Sequence, residues 1–181
     1  MATPASPSYA ARSQAQARLA SVTLGFNPSY AATAANYPGA PATMGIDFTT
    51  GAKSLNFFQG KLRIEDILET GTSKFPLMAI YAIAGANNNR QKFQKFSGLV
   101  RVGIDVHLSY NSSQALRTYE AWPDAVEDAM VVTFNQSANQ NWPSNIAYNG
   151  ELSFDRGTVI RGGQNWLQTI SFKATFEAII A

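Results

Sequence analysis

The segment Phe96–Tyr110 constrains the fold more than any other part of the sequence. Its apolar residues fall on even positions and its polar residues on odd positions, with Leu99 as the exception. Because successive side chains of a β-strand point to opposite faces of a sheet, this alternation predicts one long strand with an apolar and a polar face. Such a strand places one face on a hydrophobic core and the other toward water or a partner.

A second segment with the same alternation, Trp166–Ile180, lies at the C-terminus. Shorter apolar or alternating segments at Phe75–Ala84 and Ile146–Phe154 predict two further strands, and Arg161–Gln164 predicts a hairpin turn into the last strand. Helical patterns lie between these strands. The predicted fold class is therefore α+β, a single domain with a mainly antiparallel sheet of about four long strands packed against helices.

Four segments predict helices. Tyr9–Leu24 is rich in Ala, Gln and Arg, and Lys61–Glu69 has helical apolar spacing with Gly71 as its stop. A third helix follows the cap residues Asn111–Ser113. Pro123 fits best as the first residue of a fourth helix. The predicted buried face of this fourth helix consists of Val126, Met130, Val131 and Phe134.

We expect residues 1–45 to form an N-terminal tail, a helix and a long irregular segment, and residues 46–181 to form the core domain. The segment Gly25–Gly45 contains several proline and glycine residues that favour turns, so we expect it to be irregular, with one short helix after Pro28. A loop of this length in a compact domain usually has an interaction role. Ile46–Phe48 is predicted as a short strand at the start of the core domain.

Composition narrows the classes of function. Charged residues make up 14% of the 181-residue chain, against roughly 25% in typical soluble domains. A surface with so few charges is often partly covered in an assembly. The net charge of +2 is too small to indicate a nucleic-acid-binding protein. No run approaches the ~20 apolar residues that a membrane helix needs, and the absence of cysteine excludes disulfides and thiolate chemistry.

His107 is the single histidine and is the first residue to consider for catalysis. Asp105 and Ser109 lie two residues on either side of it, and these three residue types can form a nucleophilic triad. On one strand, however, the three side chains point the same way and do not converge on a pocket. We therefore expect no catalytic residue, and interpret this face as solvated or as part of an interface.

The other residues that carry chemistry also fail to form a recognisable site. The acids Glu120, Asp124, Glu127 and Asp128 are explained by the positive end of a helix dipole, so no metal is expected. No phosphate-binding glycine motif is present, so no cofactor is expected. Gly98 and Gly103 lie inside the long strand, where glycine marks a bulge or the close approach of another chain.

A resemblance to a known family rests on four short motifs. They are Val100–His107 (VRVGIDVH), Asp124–Met130 (DAVEDAM), Tyr148–Gly150 (YNG) and Trp166–Phe172 (WLQTISF). In this order the chain resembles the tail terminator proteins of tailed bacteriophages, also described as minor tail or tail completion proteins. The resemblance extends from about Ile64 to the C-terminus and covers the N-terminal third only loosely.

The resemblance implies a structural virion protein without catalytic residues. It would form a homo-oligomeric ring, expected to be a hexamer, that ends the tail tube and joins it to the head or neck connector around the DNA channel. Its partners would be itself, the tail-tube protein, the connector and, transiently, DNA, with no membrane contact. The protein would be made in the host cytoplasm and reside in the tail or neck of the virion.

Three surfaces are candidates for these contacts. The subunit interface is expected on the polar faces of the two long strands, at Arg101, Asp105, His107, Lys173, Thr175 and Glu177. The channel or tube contact is expected at the polar loop before Phe96, through Arg90, Lys92 and Lys95, where aromatic residues interleave with the basic ones. The neck contact is expected in the segment Gly25–Pro41, at Tyr30 and Tyr37.

Two alternatives remain open. One is another virion component of this size, either a head–tail connector or a tail-tube subunit. A tube subunit would polymerise without limit, whereas a terminator would stop at one ring. The other alternative, ranked last, is a small hydrolase that uses His107.

Overall fold

The computed structural model describes residues 6–49, 54–63, 75–87, 96–111, 120–135, 142–143, 145–162 and 165–180. These residues contain three helices: α1 (Pro7–Leu19), α2 (Phe26–Ala34) and α3 (Ala121–Asn135). They also contain six strands: β1 (Phe57–Phe58), β2 (Leu77–Asn87), β3 (Phe96–Asn111), β4 (Ile146–Arg156), β5 (Ile160–Gly162) and β6 (Asn165–Ile180).

The two segments with the clearest alternation form the centre of the sheet. β3 and β6 pair antiparallel along their whole length, from Phe96 opposite Ile180 to Asn111 opposite Asn165. The strand order is β1-β2-β3-β6-β4, and β5 also pairs with β6. The four long strands are antiparallel, whereas β1 pairs parallel with β2. The predicted α+β class is therefore confirmed, although the sheet is mixed and has six strands.

One hydrophobic core lies between the helices and the face of the sheet that carries the even-numbered residues of β3. Side chains from all three helices enter this core together with strand residues such as Ile104 and Phe172. The helix residues of the core include Ala11, Ala15, Leu19, Phe26, Tyr30, Val126, Met130 and Phe134. α1 and α2 therefore contribute to this core from Ala11 onward, and the division of the chain at residue 45 stays a prediction.

The helix boundaries follow their capping residues. Ser6 accepts a hydrogen bond from the backbone N–H of Tyr9 (3.2 Å), and Pro7 occupies the first helical position, so α1 begins two residues earlier than predicted. α1 also ends at Leu19, earlier than the predicted Leu24. The predicted short helix exists as α2, and both Pro28 and Pro123 lie in first turns, where a missing N–H removes no helical hydrogen bond.

Two local predictions are wrong. Ile46–Phe48 is not a strand, because the side-chain amide of Asn27 occupies the position of a neighbouring strand. Asn27 donates to the carbonyl of Ile46 (2.7 Å) and accepts from its N–H (3.1 Å). Val131 is 37% exposed and not part of the buried face of α3. The predicted helices at Lys61–Glu69 and after Asn111–Ser113 lie largely outside the described residues.

Gly98 and Gly103 are explained by contacts within the chain. A Cβ atom on Gly103 would lie 2.5 Å from the ring of Tyr81, and one on Gly98 would lie 1.9 Å from the carbonyl oxygen of Ala86. Both neighbours belong to β2. Neither of the two alternatives left open by the sequence, a bulge or the close approach of another chain, applies here: the register is regular at both glycines, and the adjacent strand of the same chain occupies the space.

Gly103→Ala tests this packing. The added methyl group must displace the Tyr81 ring, and we expect the free energy of unfolding to fall by about 1–3 kcal/mol, as in other overpacked sites. Chemical denaturation measures the change. Gly60→Ala is the matched control because a Cβ atom there has no neighbour within 4 Å. Equal stabilities for the two variants would contradict the proposed contact.

Candidate interaction surface

The sheet face opposite the helices, which we call the outer face, carries the odd-numbered residues of β3 and β6. The register aligns Tyr81, Gly103 and Lys173 in one row, and Arg101 and Thr175 in the next. Exposure is uneven along this face. Arg101, Lys173 and Glu177 are exposed, whereas the centre of the face is buried. The outer face is therefore partly a second packing surface and partly an exposed charged surface.

Polar side chains in the buried part of the outer face form hydrogen bonds with side chains of neighbouring strands. Asp105 and His107 are each only 3% exposed. The Tyr81 hydroxyl donates to Asp105 Oδ1 (3.1 Å), and His107 Nδ1 lies 2.8 Å from Thr169 Oγ1. His107 Nε2 is buried and has no hydrogen-bond partner in the described part of the chain. Burial lowers the pKa of His107, and Asp105 opposes this change.

These exposures divide the predicted subunit interface into two sets. Arg101, Lys173 and Glu177 are accessible and remain candidates. Asp105, His107 and Thr175 are at most 4% exposed, so they cannot contact a partner in this conformation, and their prediction is corrected. For Asp105 and His107 the physical reason is that side chains of neighbouring strands contact them on the same face, Tyr81 at Asp105 and Thr169 at His107.

The geometry around His107 also bears on the hydrolase alternative. In a catalytic triad the carboxylate orients the imidazole and the imidazole contacts the nucleophile. Here Thr169 bonds His107 Nδ1, and Asp105 accepts instead from Tyr81. Asp105, His107 and Ser109 therefore share a sheet face without forming a relay.

A shallow depression beside α1 is lined by polar and apolar residues but not by an acid–base pair. Its lining consists of Gln14, Ala17, Arg18, Ser21, Leu24 and Trp142. The Arg18 guanidinium lies 4.2 Å from the centre of the Trp142 ring, a cation–π contact. Burial lowers the pKa of Arg18. The depression therefore lies where α1 packs against Trp142. Among its described lining residues, none is a nucleophile with a base beside it.

A cluster of charges joins the end of β4 to the start of α3. Arg156 donates to Glu120 (2.7 Å), to Asp124 (2.5 Å) and, through two nitrogens, to Glu127. These contacts, with Glu127 contributing most, raise the pKa of Arg156. In the sequence analysis, the position of these acids near the start of a helix was sufficient to account for them. No local pattern predicts their contact with Arg156, which lies 29 to 36 residues away from Glu127 and Glu120 in the chain.

The two tyrosines predicted at the neck contact lie in different environments. Tyr30 is fully buried in the core, and burial raises its pKa, so its prediction as a contact residue is corrected. It is buried because α2 packs against α3. Tyr37 is half-buried, and its hydroxyl donates to Asp128 Oδ2 (3.4 Å). The predicted channel residues Arg90, Lys92 and Lys95 lie outside the described residues.

Among the described residues, the outer edges of β2 and β4 are largely unpaired, a feature that the sequence analysis missed. β1 covers the edge of β2 only at Met78 and Ala79, and no other described strand pairs with that edge. The residues Ala82–Ala86 are all exposed. On the other side of the sheet, no described strand pairs with the outer edge of β4. The uncharged sequence AIAGA was the signal that could have indicated an open edge.

No family model matches the sequence, and no characterised protein matches it at a significant level. The described helices are all too short or too polar to cross a membrane. Among the described residues no three acidic or histidine side chains are grouped in a way that could hold a metal ion. The candidate surface is therefore interpreted from its own geometry.

The burial of His107 predicts a pH dependence of stability. Its pKa is lowered from the ordinary value of 6.5 in the folded chain, so the unfolded chain binds a proton at a pH where the folded chain does not. The free energy of unfolding should therefore decrease as pH falls below about 6.5, until the pH reaches the folded-state pKa.

Chemical denaturation at pH 7.5 and 5.5 measures this dependence. His107→Gln should lose less stability between these two pH values than the wild type, whatever its stability at pH 7.5. Because the chain has no other histidine, the remaining dependence belongs to carboxyl groups. The same pH dependence in both proteins would contradict the assignment.

Replacing Arg156 tests the charge cluster. Arg156→Met leaves three carboxylates close together, with the Glu127 side chain only 12% exposed, and we expect a loss of about 1–3 kcal/mol in the free energy of unfolding. Adding Glu127→Gln should restore part of this loss. Lys173→Met, at an exposed position, serves as the control and should change stability little. No difference between the Arg156 and Lys173 variants would contradict the role of the cluster.

Proposed function

We propose that the chain is a structural virion subunit that assembles with copies of itself into a ring. The ring would end the tail tube of a phage and join it to the head or neck connector, around the DNA channel. This proposal rests on the four motifs that resemble tail terminator proteins. It is supported by one structural observation: the described part of the sheet leaves the outer edges of β2 and β4 largely unpaired and carries an exposed charged area.

The central strands make this sheet a suitable scaffold for assembly. The β3–β6 pair spans 16 residues without a register shift, and one face of the sheet is held by all three helices. A subunit with two different open sides can repeat head to tail, and such contacts close into a ring when the rotation between copies permits. The open edges of β2 and β4 are two such sides.

The exposed charges on the outer face also fit a surface that is covered in an assembly. Arg101, Lys173 and Glu177 form no ion pair within the described part of the chain. Charges of both signs placed on a rigid surface favour contacts of fixed orientation, because each wrong register brings like charges together. The low charge of the whole chain is consistent with burial of further surface.

The mass of the protein in solution, with and without tail-tube protein, tests the proposal. Light scattering should show either one discrete multiple of the 19.6-kDa chain or a monomer that assembles on tube ends. Electron microscopy should then show rings, and tubes capped at one end that no longer grow. Open-ended polymerisation of the protein alone would instead indicate a tube subunit. A monomer that leaves tube growth unchanged would contradict the proposal.

A charge reversal with a matched control shows whether the outer face takes part. Arg101→Glu combined with Lys173→Glu should reduce assembly, because it changes the sign of the exposed area without altering the core. Val22→Glu is the control, since Val22 is 89% exposed and lies between α1 and α2, outside the sheet. Both variants should keep the circular dichroism spectrum of the wild type. Equal assembly of the two variants would remove the outer face from the interface.

A further inference from the structure

The open edge of β2 has the properties of a strand that pairs with another strand. From Leu77 to Asn87 it contains no charged residue and no proline, the residues with which proteins usually protect an edge. Ala82–Ala86 are exposed, and the bulge at Ile83 is the one irregularity between β2 and β3. The residues that follow this bulge, Ala84, Gly85 and Ala86, have small side chains, so another backbone can approach them closely.

The edge of β4 differs from that of β2 in charge. β4 carries exposed Glu151 and Asp155, and four carboxylates lie at the start of the adjacent α3, of which Arg156 engages three. On the β2 side, Lys61 lies 5.6 Å from the ring of Tyr81, and Arg101 is paired with Ala84. Lys173 lies opposite Ser153 of β4 in the same way, so six carboxylates on the β4 side stand against two cations, Arg156 and Lys173. Among the described residues the β2 side is thus basic and the β4 side acidic. Contact between β2 and β4 is attractive, whereas contact between two copies of the same edge brings like charges together.

The strand directions permit this contact. β2, β3, β6 and β4 are neighbours in this order, and each pair is antiparallel. β2 and β4 therefore run in opposite directions. When copies are related by rotation about an axis parallel to the strands, β4 of one copy meets β2 of the next in antiparallel orientation. The alternation of the sheet then continues across the boundary between subunits.

Apolar side chains are available on both edges. Ile83 on β2 is 42% exposed and Phe154 on β4 is 49% exposed. Each edge also has main-chain groups that no described strand uses. Pairing the edges would satisfy these groups and cover apolar surface at the same time.

We propose that β2 of one copy pairs with β4 of the next copy, so that the sheets of the assembled protein form one continuous sheet. The occupant of the β2 edge is a second copy of this chain, selected by the opposite charge of its β4 edge. This inference rests on the self-association in the proposed function and adds the identity of the interface.

Disulfide trapping with two single-cysteine variants tests the pairing directly, because the natural chain has no cysteine. Ala84→Cys and Ser153→Cys place one thiol on each edge, both on the outer face. Cα atoms of paired strand residues lie about 4.5–5.5 Å apart, within the range of a disulfide. One variant carries a short terminal extension, so that the three possible dimers differ in length. Ala86→Cys on β2 and Ala147→Cys on β4 test whether the two edges pair in another register.

Mixing the two variants at assembling concentration, with tail-tube protein present, and oxidising mildly should give the mixed dimer as the main product. Val22→Cys mixed with Ser153→Cys is the control and should give little product. A ring that forms without mixed dimer in any register overturns the pairing but leaves the proposed function standing. The Ala84→Cys homodimer as main product, or its disulfide to a cysteine placed in the tube protein, also overturns the pairing. No assembly of the wild type under any condition overturns both.

A charged residue on the edge provides a second test that does not depend on register. Ala84→Glu should abolish assembly while leaving the circular dichroism spectrum and the unfolding midpoint unchanged, because Ala84 is exposed and the added acid would face the acidic β4 edge of the next copy. Val22→Glu adds the same charge away from the sheet and should assemble as the wild type does. Rings formed by Ala84→Glu would overturn the pairing.

Discussion

The antiparallel pairing of β3 with β6 is the interaction on which the rest of the structure depends. Its register fixes which residues of both strands face the helices, because a shift by one residue would turn every apolar side chain to the opposite face. The helices pack on the face so defined, and β2 and β4 extend the pair on either side. The composition of the outer face is therefore a consequence of this one register, and the strand order places β2 and β4 as the outermost long strands.

The same register explains why the outer face has two parts. At its centre, Asp105 and His107 are buried and bonded to Tyr81 and Thr169, so their polarity serves the packing of neighbouring strands. Arg101 and Lys173 lie in the adjoining rows and remain exposed. Buried polar groups with specific partners discriminate against other registers, since a shifted strand would leave them unpaired. The exposed charges form no ion pair within the described part of the chain.

Much of this fold could be predicted from the sequence, because long strands with one buried face show an alternation of period two. β1 and β5, with two and three residues, are too short to show any period. The burial of His107 and Tyr30 could not be predicted either, because it depends on which element covers a residue and not on residue type. The contacts of Arg156 join residues far apart in the chain, and local patterns carry no information about them.

Amide hydrogen exchange of β2 can measure whether another copy completes this sheet, as we propose. In the free protein the outward-pointing amides of Ala82–Ala86 should exchange quickly, while the amides of β3 and β6 exchange slowly. In the assembled ring we expect strong protection of those β2 amides and of their counterparts on the outer edge of β4. If both edges exchange as quickly in the ring as in the free protein, the sheet is not continued between subunits and the proposed pairing is wrong.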